Sequence, residues 1–259
     1  MKVVIFAGGL GTRISEETDV RPKPMVEIGG KPILWHIMKL YSHYGFNDFI
    51  ICLGYKGYVI KEYFMNYFLH NSDIQIDLEN NNMQVLGTRS ESFKVTLVET
   101  GLNTKTAGRL QQVKKYIGKE DFMLTYGDGL SDVNISELVE FHKKNNKIVT
   151  VTSVQPDARF GGMDLASDGS VNAFREKSKA DAQWINGGFF VLKADVFNYL
   201  EKDMSNTMWE DEPLEHLTAD KQLVAYRHKG FWKCMDALRD KIELNELWDS
   251  NKAPWKNWQ

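Results

Sequence analysis

The sequence predicts an α/β protein with a mostly parallel sheet, and two observations carry that expectation. Apolar segments of strand length alternate with segments of helical period, and no Pro/Gly/Ser-rich linker, fixed-period repeat or low-complexity run divides the chain. The clearest strands are expected over residues 3–7, 48–53, 121–126 and 147–154. Between the first two, residues 32–44 place Ile33, Ile37, Leu40 and Tyr44 at helical spacing, with Pro32 suited to a first turn. Residues 57–69, rich in aromatics, and residues 135–144 read as further crossover helices. Over 72–99 short alternating runs flank Asn80-Asn81-Asn82 at a turn, which predicts an antiparallel excursion outside the main sheet. Strands over 171–175 and 184–192 follow, and a closing helix over 238–248 lies in a helical C-terminal segment, 230–259. One domain spanning 1–259, with 72–99 as a β-rich insertion, is the expected organisation.

Composition narrows the function classes. The chain has 259 residues, of which 42% are hydrophobic, enough for a sizeable core. Its 32 basic and 35 acidic residues give a formal charge of −3, which removes the basic excess of a nucleic-acid binder or a cationic membrane-surface protein. Cys52 and Cys234 are too few for a disulfide scaffold, and neither lies in a CxxC pair, so a reduced, cytoplasmic setting is the default. The first apolar stretch is too short for a secretory core, and no run approaches a membrane span.

The first strand ends in a turn where Gly8, Gly9 and Gly11 let the backbone approach a bulky ligand and present successive amides to anionic oxygens. The spacing fits neither the dinucleotide fingerprint nor the P-loop. Arg13 adds a planar guanidinium matched to phosphate. In Arg21-Pro22-Lys23-Pro24, the two prolines should stiffen the backbone and hold Lys23 in one direction. Taken singly, the turn is equally readable as a simple tight turn and Lys23 as a solvated surface residue. A second edge feature is the apolar strand that stops at Gly127-Asp128-Gly129, delivering a carboxylate where open α/β sheets collect ligands.

AGGLGTR at 7–13 and RPKPMVEIGGKPILWHIM at 21–38 resemble the signature of the sugar-nucleotide pyrophosphorylases, nucleotidyltransferases that join a sugar 1-phosphate to a nucleoside triphosphate. GYKGYVIKEYF at 54–64, TYGDG at 125–129, INGGFFVL at 185–192, the Met235 to Lys241 run and KAPW at 252–255 extend the resemblance over nearly the whole chain. It implies a Rossmann-like, mixed and mainly parallel sheet flanked by helices. It is nearest to the branch that uses CTP and α-D-glucose 1-phosphate, which implies CDP-glucose and pyrophosphate as products; UTP, dTTP or another sugar 1-phosphate, or a non-catalytic sensor on the same scaffold, are the alternatives.

The resemblance also implies a site. Phe6, Ala7, Gly8, Gly9, Leu10, Gly11, Thr12, Arg13, Lys23 and Gly127 would line the nucleotide, with Arg13 on the departing pyrophosphate and Lys23 on the α-phosphate. Thr104 and Arg109 match positions that contact the base or phosphate; otherwise they belong to an exposed loop entering a helix. Mg²⁺ would sit on Asp128 and Asp236, although from the residues alone Asp236 reads more readily as the N-cap of the closing helix than as a ligand, and an Asp in a Gly-Asp-Gly turn is common. Glu176 and Lys177 would take sugar hydroxyls and phosphate, against the plainer reading of a surface ion pair. Gly161, Asn186 and Gly187 would face the sugar, since a glycine inside a strand marks close approach. No general base is apparent, which suits an attacking phosphate oxygen that is already ionised. The histidines read as structural, and a homo-oligomer is implied, with the aromatic-rich helix over 58–68 as the interface it offers.

Overall fold

The computed structural model describes residues 1–88, 91–156, 162–165, 170–175 and 183–258. Among the described residues, eight strands form the central sheet: β1 (Val3–Phe6), β2 (Asp48–Leu53), β3 (Lys94–Glu99), β4 (Phe122–Tyr126), β5 (Val149–Val154), β6 (Ile185–Asn186), β7 (Phe190–Leu192) and β8 (Leu223–Arg227). Strand β1 lies between β4 and β2, and β2 pairs with β3, all in parallel. On the other side β7 runs antiparallel between β4 and β5, while β8 runs parallel to β5. Carboxyl ends of β1 to β4 therefore open on one edge, the ligand-collecting edge of such sheets.

Both faces are covered, which is why the strands read as continuous apolar runs. Val3, Ile5, Phe49 and Ile51 face one core with α1 (Ile33–His43), α4 (Ile135–Asn145) and α6 (Leu238–Asp249). Their neighbours Val4, Phe6, Ile50 and Cys52 face the opposite core with Leu110, Val113 and Ile117 of α3 (Thr106–Ile117) and with Trp209. Strand alternation thus assigns each residue to a layer. His36 of α1 is fully buried among aromatics: its Nε2 lies 2.8 Å from the Ile28 carbonyl, and Trp255 Nε1 lies 3.3 Å from Nδ1. Burial pushes its pKa down to about 4, so it is neutral and structural.

Some boundaries differ from expectation. The second crossover helix, α2 (Gly57–Met65), stops short, and Tyr67–His70 forms a separate turn of helix. The antiparallel excursion is only the hairpin of Ser72–Asp77 with Asn82–Thr88, because Lys94–Glu99 is the parallel edge strand β3. A half-covered edge strand alternates in sequence just as a hairpin strand does. The strand expected over 184–192 is broken after Asn186: Gly188 has φ of +77° and Phe189 a φ of +45°, which a large residue adopts only under constraint. Helix α5 (Glu212–Ala219) and β8 were not anticipated. The C-terminal segment begins with a strand, Trp232–Cys234, paired antiparallel with Gly129–Ser131.

Candidate active site

After β1 the chain enters the glycine turn, whose Gly9 and Leu10 are exposed while Gly8 is buried. A Cβ on Gly8 would lie 2.1 Å from Arg109 Nη1, so only glycine admits the guanidinium beneath it. Arg109 is 4% exposed, which overturns the exposed-loop alternative for it. Its Nη1 donates to the Leu53 carbonyl at 2.8 Å and to Thr100 Oγ1 at 2.6 Å. Nη2 donates to the Gly8 carbonyl at 3.0 Å and to Leu102 at 3.3 Å. One side chain thus ties the ends of β1, β2 and β3 together. Four of its five N–H groups are committed to protein, so it underlies the turn rather than reaching out freely. Thr104 is half-buried beside it, packed under Gly101 and Gly108. Thr12, Arg13 and Ile14 form a single 3-10 turn; for Arg13 only the backbone is described.

Lys23 opens the 3-10 turn Lys23–Met25 after the extended Pro22, and it approaches the glycine turn at Gly11. It is not a solvated surface residue: its side chain is 12% exposed, and Nζ lies 2.7 Å from Asp128 Oδ2 and 2.8 Å from Asp236 Oδ1. Burial acts to lower its pKa, but Asp128 foremost, with Asp236, more than offsets that and holds the ammonium above the ordinary lysine range. Asp128 follows β4 after Gly127. Asp236 is brought in by backbone pairing, since Cys234 faces Gly129 across the short sheet and the Met235 amide donates to the Asp128 carbonyl at 2.9 Å. The cap of α6 comes from Asp240, whose Oδ2 accepts from the Asp236 and Ala237 amides at 3.0 and 2.8 Å. The Asp236 carboxylate is thereby left to the Lys23 cluster, which corrects its reading as a cap.

A strand-end glycine turn, a lysine and two carboxylates on one sheet edge are the parts needed to neutralise and align phosphates. The family model described as nucleotidyl transferase matches residues 2–248. The chain belongs to the nucleotidyl transferase family. Among this family it is 54% identical, over the full length of both chains, to a glucose-1-phosphate cytidylyltransferase of Salmonella typhimurium. It is 28% identical to a mannose-1-phosphate guanyltransferase of Aspergillus oryzae, covering 93% of this chain and 62% of that one. Among solved structures, HddC of Yersinia pseudotuberculosis superposes with a TM-score of 0.67 at 24% identity, covering 95% of this chain and 99% of that one; the fold is shared. The chain is an enzyme, a nucleotidyltransferase, on the mixed, mainly parallel sheet that the resemblance implied. Among the described residues no helix is long and apolar enough to cross a membrane.

At the break after β6, Asn186 is exposed. Its Oδ1 accepts from the Gly188 amide at 2.9 Å, and its Nδ2 donates to the Tyr126 hydroxyl at 3.0 Å. Gly187 is buried, and Trp232 Nε1 donates to its carbonyl at 2.8 Å; a Cβ there would press on Val154 at 2.8 Å. Its small size therefore answers packing within the sheet. Gly127 sits against the Phe6 carbonyl, to which its amide donates at 3.0 Å. Gly161, Glu176 and Lys177 lie outside the described residues.

Sequence reasoning missed two contributors. Glu210 accepts from the Tyr126 hydroxyl and, at 2.8 Å, from Thr106 Oγ1, bracing the wall that Asn186 leans on; it lies in a polar loop with no motif to mark it. Cys234 joins Asp128 and Asp236 in a set whose donor atoms all lie within 4.8 Å of one another. Burial first, then Asp128, pushes its thiol pKa up. The two carboxylates suit a hard divalent cation completed by phosphate oxygens, as the family's chemistry requires.

Proposed function

We propose that this nucleotidyltransferase transfers the cytidylyl group of CTP to α-D-glucose 1-phosphate, giving CDP-glucose and pyrophosphate, with Mg²⁺ as its metal. The observation that supports this most is the meeting of Lys23, Asp128 and Asp236 beside the glycine turn, from stretches of chain more than 100 residues apart. The choice of base and sugar rests on the full-length likeness to a glucose-1-phosphate cytidylyltransferase.

In this reading the amides of Gly8 to Thr12 receive the triphosphate, and Arg13 meets the departing pyrophosphate. Lys23 exchanges part of its carboxylate contact for an α-phosphate oxygen, so its charge is already aimed when the nucleotide arrives. Asp128 and Asp236 hold Mg²⁺, which when bound supplies charge neutralisation to the triphosphate. Lys177 and Glu176 orient the sugar phosphate, with Asn186, Gly187 and Gly161 along the sugar wall. Thr104 faces the base, and Arg109 acts on the nucleotide through the turn it supports. The attacking phosphate oxygen is ionised at neutral pH, so the residues position and neutralise rather than abstract a proton.

Purified protein with Mg²⁺ and glucose 1-phosphate, given CTP, UTP, dTTP, ATP or GTP in turn, should release pyrophosphate fastest with CTP. Another triphosphate leading would overturn the base assignment. Saturable binding with no pyrophosphate from any pair would favour the sensor.

A further inference from the structure

Cys234 is not needed by the chemistry above, yet it is built into the same centre. Its strand is fixed by pairing with Gly129–Ser131, in register Cys234 to Gly129, so the backbone carries Cys234 next to the Asp128 turn. Two residues on, the Asp240 cap holds the Asp236 backbone. The result is a mixed set of one sulfur and two carboxylates within 4.8 Å of one another, partly open to solvent on all three residues. Small side-chain rotations would bring such donors to the roughly 2.3 Å and 2.0–2.2 Å bond lengths that zinc makes to sulfur and oxygen. Hard ions ignore sulfur, whereas thiophilic ions seek it.

We propose that Asp128, Asp236 and Cys234 form a site for a thiophilic divalent cation, of the Zn²⁺ or Cd²⁺ class, overlapping the carboxylate pair and excluding the harder ion. The inference rests on the assignment of those carboxylates as the metal pair under Proposed function, and adds a third ligand and a different class of ion. As the sulfur–metal bond forms, the Sγ–H bond breaks and its proton passes to solvent; no electrons are transferred. The Lys23 ammonium, 2.7 and 2.8 Å from the two carboxylates, must withdraw as the cation enters, since like charges cannot share them. Zn²⁺ and Cd²⁺ would then act as inhibitors that compete with Mg²⁺ and are reversed by chelation.

The test is titration of the nucleotide-free protein with Cd²⁺, followed by the ultraviolet thiolate-to-cadmium absorption band and by calorimetry, on wild type, Cys234→Ser and the buried-thiol control Cys52→Ala. Wild type and Cys52→Ala should develop the band at one Cd²⁺ per chain. Cys234→Ser should lose it and bind Cd²⁺ more weakly by at least the roughly 10- to 100-fold that loss of a supporting residue costs a metal site. A band retained in Cys234→Ser, or Cd²⁺ affinity unaltered by it, overturns the proposal. Cadmium NMR of the wild type reads the same question without a variant: a resonance in the all-oxygen range refutes sulfur ligation. Failure here with Mg²⁺-dependent pyrophosphate release intact would refute the sulfur site alone, whereas absence of both that turnover and any metal binding would refute the carboxylate assignment.

Discussion

Replacing Lys23 by methionine should disable the enzyme and at the same time tighten its hold on a divalent metal. In the structure Nζ sits 2.7 and 2.8 Å from the two carboxylate oxygens, with the lysine side chain 12% exposed and the carboxylates 26% and 25% exposed. At an effective dielectric near 20, each contact carries roughly 6 kcal/mol of Coulomb attraction. Desolvation of three charges cancels most of it, leaving a stability loss of about 1–2 kcal/mol when the ammonium is removed. A divalent cation entering between the same oxygens meets that ammonium as a competitor. At roughly 4 Å and the same dielectric their repulsion is about 8 kcal/mol, and the same discount leaves about 0.7–1.4 kcal/mol, or roughly 3- to 10-fold in metal affinity. Calorimetric titration of nucleotide-free wild type and Lys23→Met with Mn²⁺ or Mg²⁺ measures it directly. Turnover, read as pyrophosphate release, should fall by at least about 100-fold, the scale of losing one charge-stabilising group. Metal affinity that is unchanged or weaker in Lys23→Met would refute the view that the lysine holds the carboxylates in place of the ion.

Arg109→Met should lower stability by about 3 kcal/mol in urea unfolding, because it strands the buried carbonyls of Gly8 and Leu53; a loss under about 1 kcal/mol would show that water replaces the guanidinium. Gly8→Ala, whose Cβ would overlap Arg109, should depress turnover while the hairpin and distal helices keep their hydrogen-exchange protection, and full activity would refute the close approach. His36, held at about 4 against an ordinary value near 6.5, lets the unfolded chain bind a proton that the native state refuses. Its contribution is full above pH 6.5 and falls by about 1.4 kcal/mol per pH unit toward pH 4, roughly 3 kcal/mol in all. Urea titrations between pH 7 and pH 5 should show that slope in wild type and not in His36→Gln; equal slopes would remove the buried histidine as the cause. Glu210→Gln should raise KM for the sugar phosphate more than it lowers kcat, and a loss confined to kcat would deny it a positioning role through Tyr126 and Asn186.

Much of this arrangement was legible because burial on both faces writes itself into the strands: Val3–Phe6 and Asp48–Leu53 are apolar without alternation only where two layers cover them. The glycine turn and Asp128 were legible for a related reason, since a strand that stops at small residues beside a charge has few other uses. What failed to show depends on partners distant in sequence. Lys94–Glu99 alternates like a hairpin strand, and only its pairing with β2 reveals the main sheet. Arg109, a basic residue in the first turn of an amphipathic helix, carries nothing in its neighbours to say that carbonyls from three strand ends will enclose it. The cap of α6 misled for the same reason: Asp236 stands nearer the helix start, yet Asp240 turns back to take the amides.

The enclosed guanidinium has a consequence for how ligand and fold speak to each other. Among the described residues its partners are carbonyls and a hydroxyl, with no carboxylate to cancel its charge. In the proposed reading, phosphates seated on the glycine turn would lie over this buried guanidinium and serve as its counter-ion. Whatever the nucleotide gains from that field is returned to the scaffold in equal measure, so saturation should harden the junction of the first three parallel strands before any bond is exchanged.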